Sequence, residues 1–319
     1  MIFSRVVKDE LARIEPSKRC CRLAELSAII HVDGTLHIQS GSYALHTVTE
    51  NAATARMTIK LLSELFGLKA EVTARRSLLH KSNNYVVYIS PQESLDQALN
   101  ELGILDDSLR LRYGILPRIV NNRCCAIAYL RGSFMGGGSI SDPRKEHHFE
   151  LNTDNKELAK DIRDLLIRFN LPAKISTRKK NFAVYLSDSK SMSEFLALVG
   201  AYGSLLEWEE ISVVKGMRSQ VNRLVNCETA NLNKTIEAAL AQLRDIKLIE
   251  KEVGLEKLPE GLRQIAEARL EYPYVSIKEL GSLCNPLLSK SAVYHRMRRL
   301  SVIAGGLRGR KNRLKRAAN

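Results

Sequence analysis

The apolar positions along the chain change period in a fixed order. Residues 20–31 carry Leu23, Leu26, Ala28 and Ile30 among small side chains over a helical length, and Asp33 and Gly34 close the run as a tight turn, where glycine takes positive φ freely. Residues 35–38 and 43–48 then alternate around a polar Gly-Ser turn, the pattern of a hairpin with one buried face. Helical spacing returns over 51–66 through Ala55, Ile59, Leu62 and Phe66. Val72 and residues 85–89 predict a second strand pair, and 94–102 a closing helix. The unit reads α-β-β-α-β-β-α, with a further helix over 3–14 ahead of it.

The same unit follows once more, 104 residues on. CCRLAEL at 20–26 and VDGTL at 32–36 return as CCAIAYL at 124–130 and GGGSI at 136–140. TEN at 49–51 pairs with TDN at 153–155, Leu61-Leu62 with Leu165-Leu166, and, after short deletions, YVVYI at 85–89 with FAVYL at 182–186. Two copies of one supersecondary unit are implied, the second spanning 124–199.

Past Glu210 the pattern becomes helical throughout. A connector over 212–219 leads through NRLVNCETAN at 222–231 into a long amphipathic helix over 231–251, with Leu232, Ile236, Ala239, Leu243 and Ile246 at steps of three and four. Leu258-Pro259 opens a helix through Leu270, the proline sitting where its missing N–H costs nothing. Val275, Ser276, Glu279 and Leu280 spell a capping box with a hydrophobic staple. A short helix therefore runs to about Leu283, residues 284–288 break it, and Ser289 caps a second helix from Lys290 to about Ile303. Val293, Met297, Leu300 and Ala304 form the apolar stripe of that helix.

Charge sharpens this picture. The chain carries 49 Lys and Arg against 35 Asp and Glu, a net +14; residues 1–211 hold only +3 of it and 212–319 hold +11. Residues 289–319 contain ten basic residues and no acid, so a polyanion is the expected partner, each neutralised phosphate releasing condensed counterions. In a helix-turn-helix, the start of the second helix enters the major groove. That makes Lys290, Ser291, Tyr294 and His295, with the cap Ser289, the candidates for base edges, and Arg296, Arg298 and Arg299 those for phosphates. Arg75, Arg76, Lys81, Arg178, Lys179 and Lys180 flank corresponding strands of the two copies and are candidates for auxiliary DNA contacts.

Other chemistry is thin. The six cysteines, at 20, 21, 124, 125, 227 and 284, show no C-x-x-C and no histidine at finger spacing, so they read as reduced core thiols rather than a disulfide framework or a zinc site. His147 and His148 have no acid or Cys cluster at ligand spacing. The glycines at 136–138 fit close packing or a turn, and neither a dinucleotide fingerprint nor a P-loop. No metal and no cofactor is expected. No apolar run is long enough for a membrane span and no signal peptide is evident, so the expectation is a cytoplasmic, nucleoid-associated protein.

LSAIIHVDG at 26–34 and LRGSFMGGG at 130–138 resemble degenerate copies of the LAGLIDADG motif of homing endonucleases. That resemblance implies two motif helices packed at a pseudo-twofold, two four-stranded sheets forming a DNA saddle, and a metal-holding acid at the end of each motif. Asp33 stands at that acidic position in the first copy and Gly137 in the second, so the two-acid constellation is incomplete. Asp142 lies close by but precedes Pro143 beyond the turn. Joined to NRLVNCETAN and to SKSAVYHRMRRL at 289–300, the whole chain resembles the bacterial WhiA family. The resemblance implies a DNA-binding transcriptional regulator linked to sporulation, or to cell division and chromosome segregation, whose endonuclease-like domain has lost catalysis.

The expectation is therefore an α+β protein: a helix at 1–19, LAGLIDADG-like repeats at 20–110 and 111–205, a linker helix at 206–221, an all-α helix-turn-helix domain at 222–304 and a basic tail at 305–319. It acts without enzymatic chemistry on double-stranded DNA, with a protein partner in transcription. The rival readings are a metal-dependent endonuclease with a divergent second acid, and a nucleoid interaction hub with little sequence preference.

Overall fold

The computed structural model describes residues 2–39, 42–76, 83–178 and 181–317. The chain divides into two compact units, Met1–Gly216 and Met217–Asn319.

The first unit follows the repeat. After α1 (Ile2–Leu11), the first copy runs α2 (Arg19–Asp33), β1 (Gly34–Gln39), β2 (Ser42–Thr49), α3 (Ala52–Phe66), β3 (Glu71–Arg76), β4 (Asn83–Ile89) and α4 (Leu95–Glu101). The single turn α5 (Pro117–Val120) leads into the second copy: α6 (Arg123–Gly137), β5 (Gly138–Ile140), β6 (Phe149–Thr153), α7 (Lys156–Arg168), β7 (Lys174–Arg178), β8 (Asn181–Leu186) and α8 (Ser189–Val199). Each copy builds a four-stranded antiparallel sheet, in the order β1-β2-β4-β3 and β5-β6-β8-β7. The 104-residue offset is kept to the level of caps. Asn51 accepts from the Thr54 N–H at 2.8 Å to start α3, and Asn155 accepts from the Leu158 N–H at 3.1 Å to start α7.

The motif helices α2 and α6 pack on each other with backbones nearly touching. A Cβ on Gly132 would lie 2.3 Å from the Glu25 carbonyl oxygen, and one on Gly136 would lie 3.2 Å from Val32 Cβ. Glycine is thus required for contact rather than for conformation. Gly34 makes the same point against the expected turn: its φ is −80°, in the extended region, and a Cβ there would meet the Ile30 carbonyl at 2.3 Å. Across the interface the fully buried Glu25 accepts two bonds from Arg131, each 2.7 Å. Burial pushes the Glu25 carboxyl above its ordinary value, and the guanidinium opposes that shift. One core gathers the second copy with α1 and Trp208; another fills the first copy.

Two helices depart from the sequence reading. The connector, the segment at 222–231 and the amphipathic run form one helix, α9 (Tyr202–Glu252), whose Gly216 is exposed and costs about 1 kcal/mol against alanine without breaking it. In the second unit, the end of α9 packs with α10 (Glu260–Glu271), α11 (Ile277–Ser282) and α12 (Lys290–Ala317) around Ile246, Ile249, Ile265, Leu280, Val293 and Leu300. Helix α12 continues well past Ile303. Leu307 packs on the core, and Arg308 pairs with the buried Asp245 of α9, which also accepts from the Ser301 hydroxyl. Through Ala317 the basic tail is therefore helical. Among the described residues, no helix is long and apolar enough to cross a membrane.

Candidate nucleic-acid interface

The helix-turn-helix is α11, the turn at 283–289, and α12. Ser276 accepts from the Glu279 N–H at 3.2 Å while the Glu279 carboxylate accepts from the Ser276 N–H at 2.9 Å, so the predicted capping box is complete. These bonds from Ser276 hold the Glu279 carboxyl below its usual range. At the other end, Leu288 N–H donates to the Gly281 carbonyl at 2.9 Å, and a Cβ on Gly281 would lie 2.3 Å from the Leu288 oxygen. Gly281 thus sets the turn by close approach, a role the hydrophobic pattern did not single out. Arg269, buried at the end of α10, donates to the Val275 carbonyl at 2.7 Å and to Tyr272 at 3.3 Å, fixing the chain that enters α11.

Ser289 caps α12 by accepting from the Ala292 N–H at 3.2 Å. Val293, Met297, Leu300 and Ala304 are all buried, as the stripe requires. Their burial turns Lys290, Ser291, Tyr294, His295, Arg298 and Arg299 outward, and all six are exposed. Tyr294 and His295 meet edge to face at 5.8 Å. Arg298 and Arg299 share an open groove of about 460 Å³ with His295, Leu262, Val302 and Ile303. Arg296 departs from the phosphate-gripping expectation. It is half-buried and donates to the Gly261 carbonyl at 3.2 Å, so it ties α12 to the start of α10.

The auxiliary candidates are less uniform. Arg75 and Arg76 are exposed on β3. Arg178 on β7 is instead ion-paired with the buried Glu150 of β6, at 2.5 and 3.3 Å, and His148 also reaches Glu150 at 3.3 Å. Its charge is largely offset within the sheet. Lys81, Lys179 and Lys180 lie outside the described residues. His147 packs against the Trp208 ring at 5.3 Å.

At the ends of the motif helices, the endonuclease constellation is closed sterically as well as by composition. A Cβ on Gly137 would lie 2.4 Å from the Asn152 carbonyl and 2.5 Å from Val32 Cγ1, leaving no room for a second acid. Asp142 is engaged in its own turn, accepting from the Arg144 N–H at 2.9 Å. Burial pushes the Asp33 carboxyl up to about 7, with Lys8 opposing, and burial lowers the Lys8 ammonium to about 8. The cysteines follow the core-thiol reading in part: all six are free and Cys21, Cys125 and Cys284 are buried, but Cys20, Cys124 and Cys227 are exposed, and Cys20, Cys21, Cys124 and Cys125 come together at the opposite end of α2 and α6.

Fold and site together define a two-part protein: a double LAGLIDADG-like unit without its paired acids, and a helix-turn-helix unit whose second helix is basic and outward-facing. Residues 19–105 match the WhiA N-terminal LAGLIDADG-like domain, 126–218 the WhiA LAGLIDADG-like domain, and 221–304 the WhiA C-terminal HTH domain. The chain is 48% identical over 316 residues to the "Probable cell division protein WhiA" of Desulfitobacterium hafniense (strain Y51), covering 99% of each. It is 46% identical over 314 residues to the protein of the same name from Desulforamulus reducens, covering 98% of each. Among solved structures, it is similar to full-length DUF199/WhiA from Thermatoga maritima at 27% identity and a TM-score of 0.57, covering 94% of this chain and 96% of that one. The chain belongs to the WhiA family.

Proposed function

We propose that this chain is a sequence-specific, double-stranded-DNA-binding transcriptional regulator serving cell division and chromosome segregation, or sporulation, and that it performs no catalysis. The observation that carries this reading is the outward face of α12. Lys290, Ser291, Tyr294 and His295 stand at the start of a helix whose opposite face is locked into a core, with Arg298 and Arg299 one turn on and no acid anywhere in the helix. Short side chains and donors early in the helix suit base edges; guanidiniums later in it suit phosphates. The LAGLIDADG-like unit, nearly neutral and with Arg178 ion-paired, serves as a surface for a protein partner in transcription, with Arg75 and Arg76 as auxiliary DNA contacts.

Binding of the purified full chain to a selected duplex and to its scrambled version, at physiological salt, tests the reading. A preference of roughly 10³ or more supports it, and equal affinity for both duplexes contradicts sequence readout. Lys290→Ala with His295→Ala should reduce that preference, while Arg299→Ala weakens both complexes alike.

A further inference from the structure

The close packing that leaves no room at the C-terminal ends of α2 and α6 also juxtaposes their first turns. Cys20 and Cys21 are the second and third residues of α2; Cys124 and Cys125 are the second and third of α6. All four Sγ atoms lie within 4.8 Å of one another, with Cys124 and Cys125 at 3.9 Å, and all four are free thiols. Two are buried and two face solvent, so the cluster is both seated in the fold and reachable. We propose that these four side chains form a tetrathiolate site for a single zinc-class divalent cation, two ligands coming from each repeat.

The size of the cluster selects the occupant. A tetrahedral ion with Zn–S bonds of about 2.3 Å places its sulfurs about 3.8 Å apart, so the cluster needs a contraction of at most about 1 Å along its widest edge. Small side-chain rotations supply that. Polynuclear iron–sulfur clusters hold their ligand sulfurs across a wider cage than this. Four soft sulfurs and no oxygen donor favour zinc over magnesium or calcium. A complete set of four protein ligands leaves no open position, which marks a structural site and not a catalytic one.

The electrostatics agree. Zinc held by four thiolates carries a net charge of −2, four protons having left as one dication arrived. Two helix N-termini face that charge, each equivalent to about half a positive charge. Neither first turn contains an acid; Lys18 and Arg123 stand beside the cluster. The site lies about 18 Å along α2 from Asp33, at 1.5 Å per residue, and so owes nothing to the vestigial acid. Its effect is to staple the two repeats at their pseudo-twofold, on the end away from the sheets.

The full chain, purified anaerobically with a tag that binds no metal, is assayed for zinc by mass spectrometry. It is then stripped with chelator under reducing conditions and titrated with cobalt(II). About one zinc per chain is expected, with the visible bands of tetrahedral cobalt–thiolate saturating at one equivalent. Cys20→Ser with Cys124→Ser, both solvent-facing, should lower the zinc content at least ten-fold and abolish the bands. Cys227→Ser, outside the cluster, should change neither. Cys124→His keeps four ligands, so it should retain metal while shifting the cobalt bands to higher energy, a response that a purely structural thiol cannot give. Three results would overturn the proposal: wild-type protein without zinc and without thiolate–cobalt bands, zinc undiminished in the double serine variant, or a disulfide among the four in anaerobic protein.

Discussion

Gly137→Asp would restore the second acid in composition, and the structure predicts that it restores no site. The new Cβ falls 2.4 Å from the Asn152 carbonyl oxygen and 2.5 Å from Val32 Cγ1, where ordinary contact begins near 3.4 Å, an overlap of about 1 Å on each. Asn152 belongs to β6, in register with Ala183 of β8, so its carbonyl retreats only by disturbing the sheet. Overpacking of this kind costs about 1–3 kcal/mol, and a half-desolvated carboxylate adds about 1–3 more. Trp208, the sole tryptophan, is fully buried, donates to the Ser189 hydroxyl at 3.0 Å and packs against Phe3, so its fluorescence reports unfolding of the first unit. With a urea m-value at the upper end, about 3 kcal/mol/M, the midpoint should fall by roughly 1 M or more. Magnesium-dependent nicking of supercoiled plasmid should remain absent. An unchanged midpoint would refute the steric argument, and nicking by a stable variant would show that the endonuclease is one substitution away.

Further expectations follow from the same geometry. Glu25→Gln should destabilise the first unit by about 3–5 kcal/mol by leaving Arg131 buried without its partner, whereas Glu25→Leu with Arg131→Met should recover most of that loss on the same urea curves. The Asp33 carboxyl, at about 7 in the fold against an ordinary 3.8, contributes stability below pH 4 that is lost as pH rises towards 7. The limit is about 4 kcal/mol, so Asp33→Asn should flatten that part of the stability–pH profile. Gly281→Ala should loosen the turn between α11 and α12 and cost about 1–3 kcal/mol in thermal unfolding of the second unit. Arg298→Ala and Arg299→Ala should each reduce the slope of log K against log salt by about 0.9, or about 3.5-fold in the affinity lost between 50 and 200 mM salt.

Much of this architecture was legible because it rests on local rules. The 104-residue offset fixes the repeat, and the same Asn caps start α3 and α7. Ser276 and Glu279 announce α11, and the period of Val293, Met297 and Leu300 decides which face of α12 is outward. What escaped the sequence depends on contacts between distant segments. Arg296 is drawn inward by the Gly261 carbonyl, 35 positions away. Helix α12 passes Gly305, Gly306 and Gly309, which by propensity argue for an end, because Leu307 and Arg308 are held by the core and by Asp245. The cysteines lack any spacing signature since their ligand set closes only when α2 and α6 lie side by side.

The central claim, that α12 reads DNA sequence, is tested most directly by genome-wide chromatin capture of the tagged protein beside a variant carrying Lys290→Ala, His295→Ala and Arg299→Ala. The account predicts discrete promoter peaks that share a motif and vanish in the variant. Broad occupancy that survives the three substitutions would contradict it.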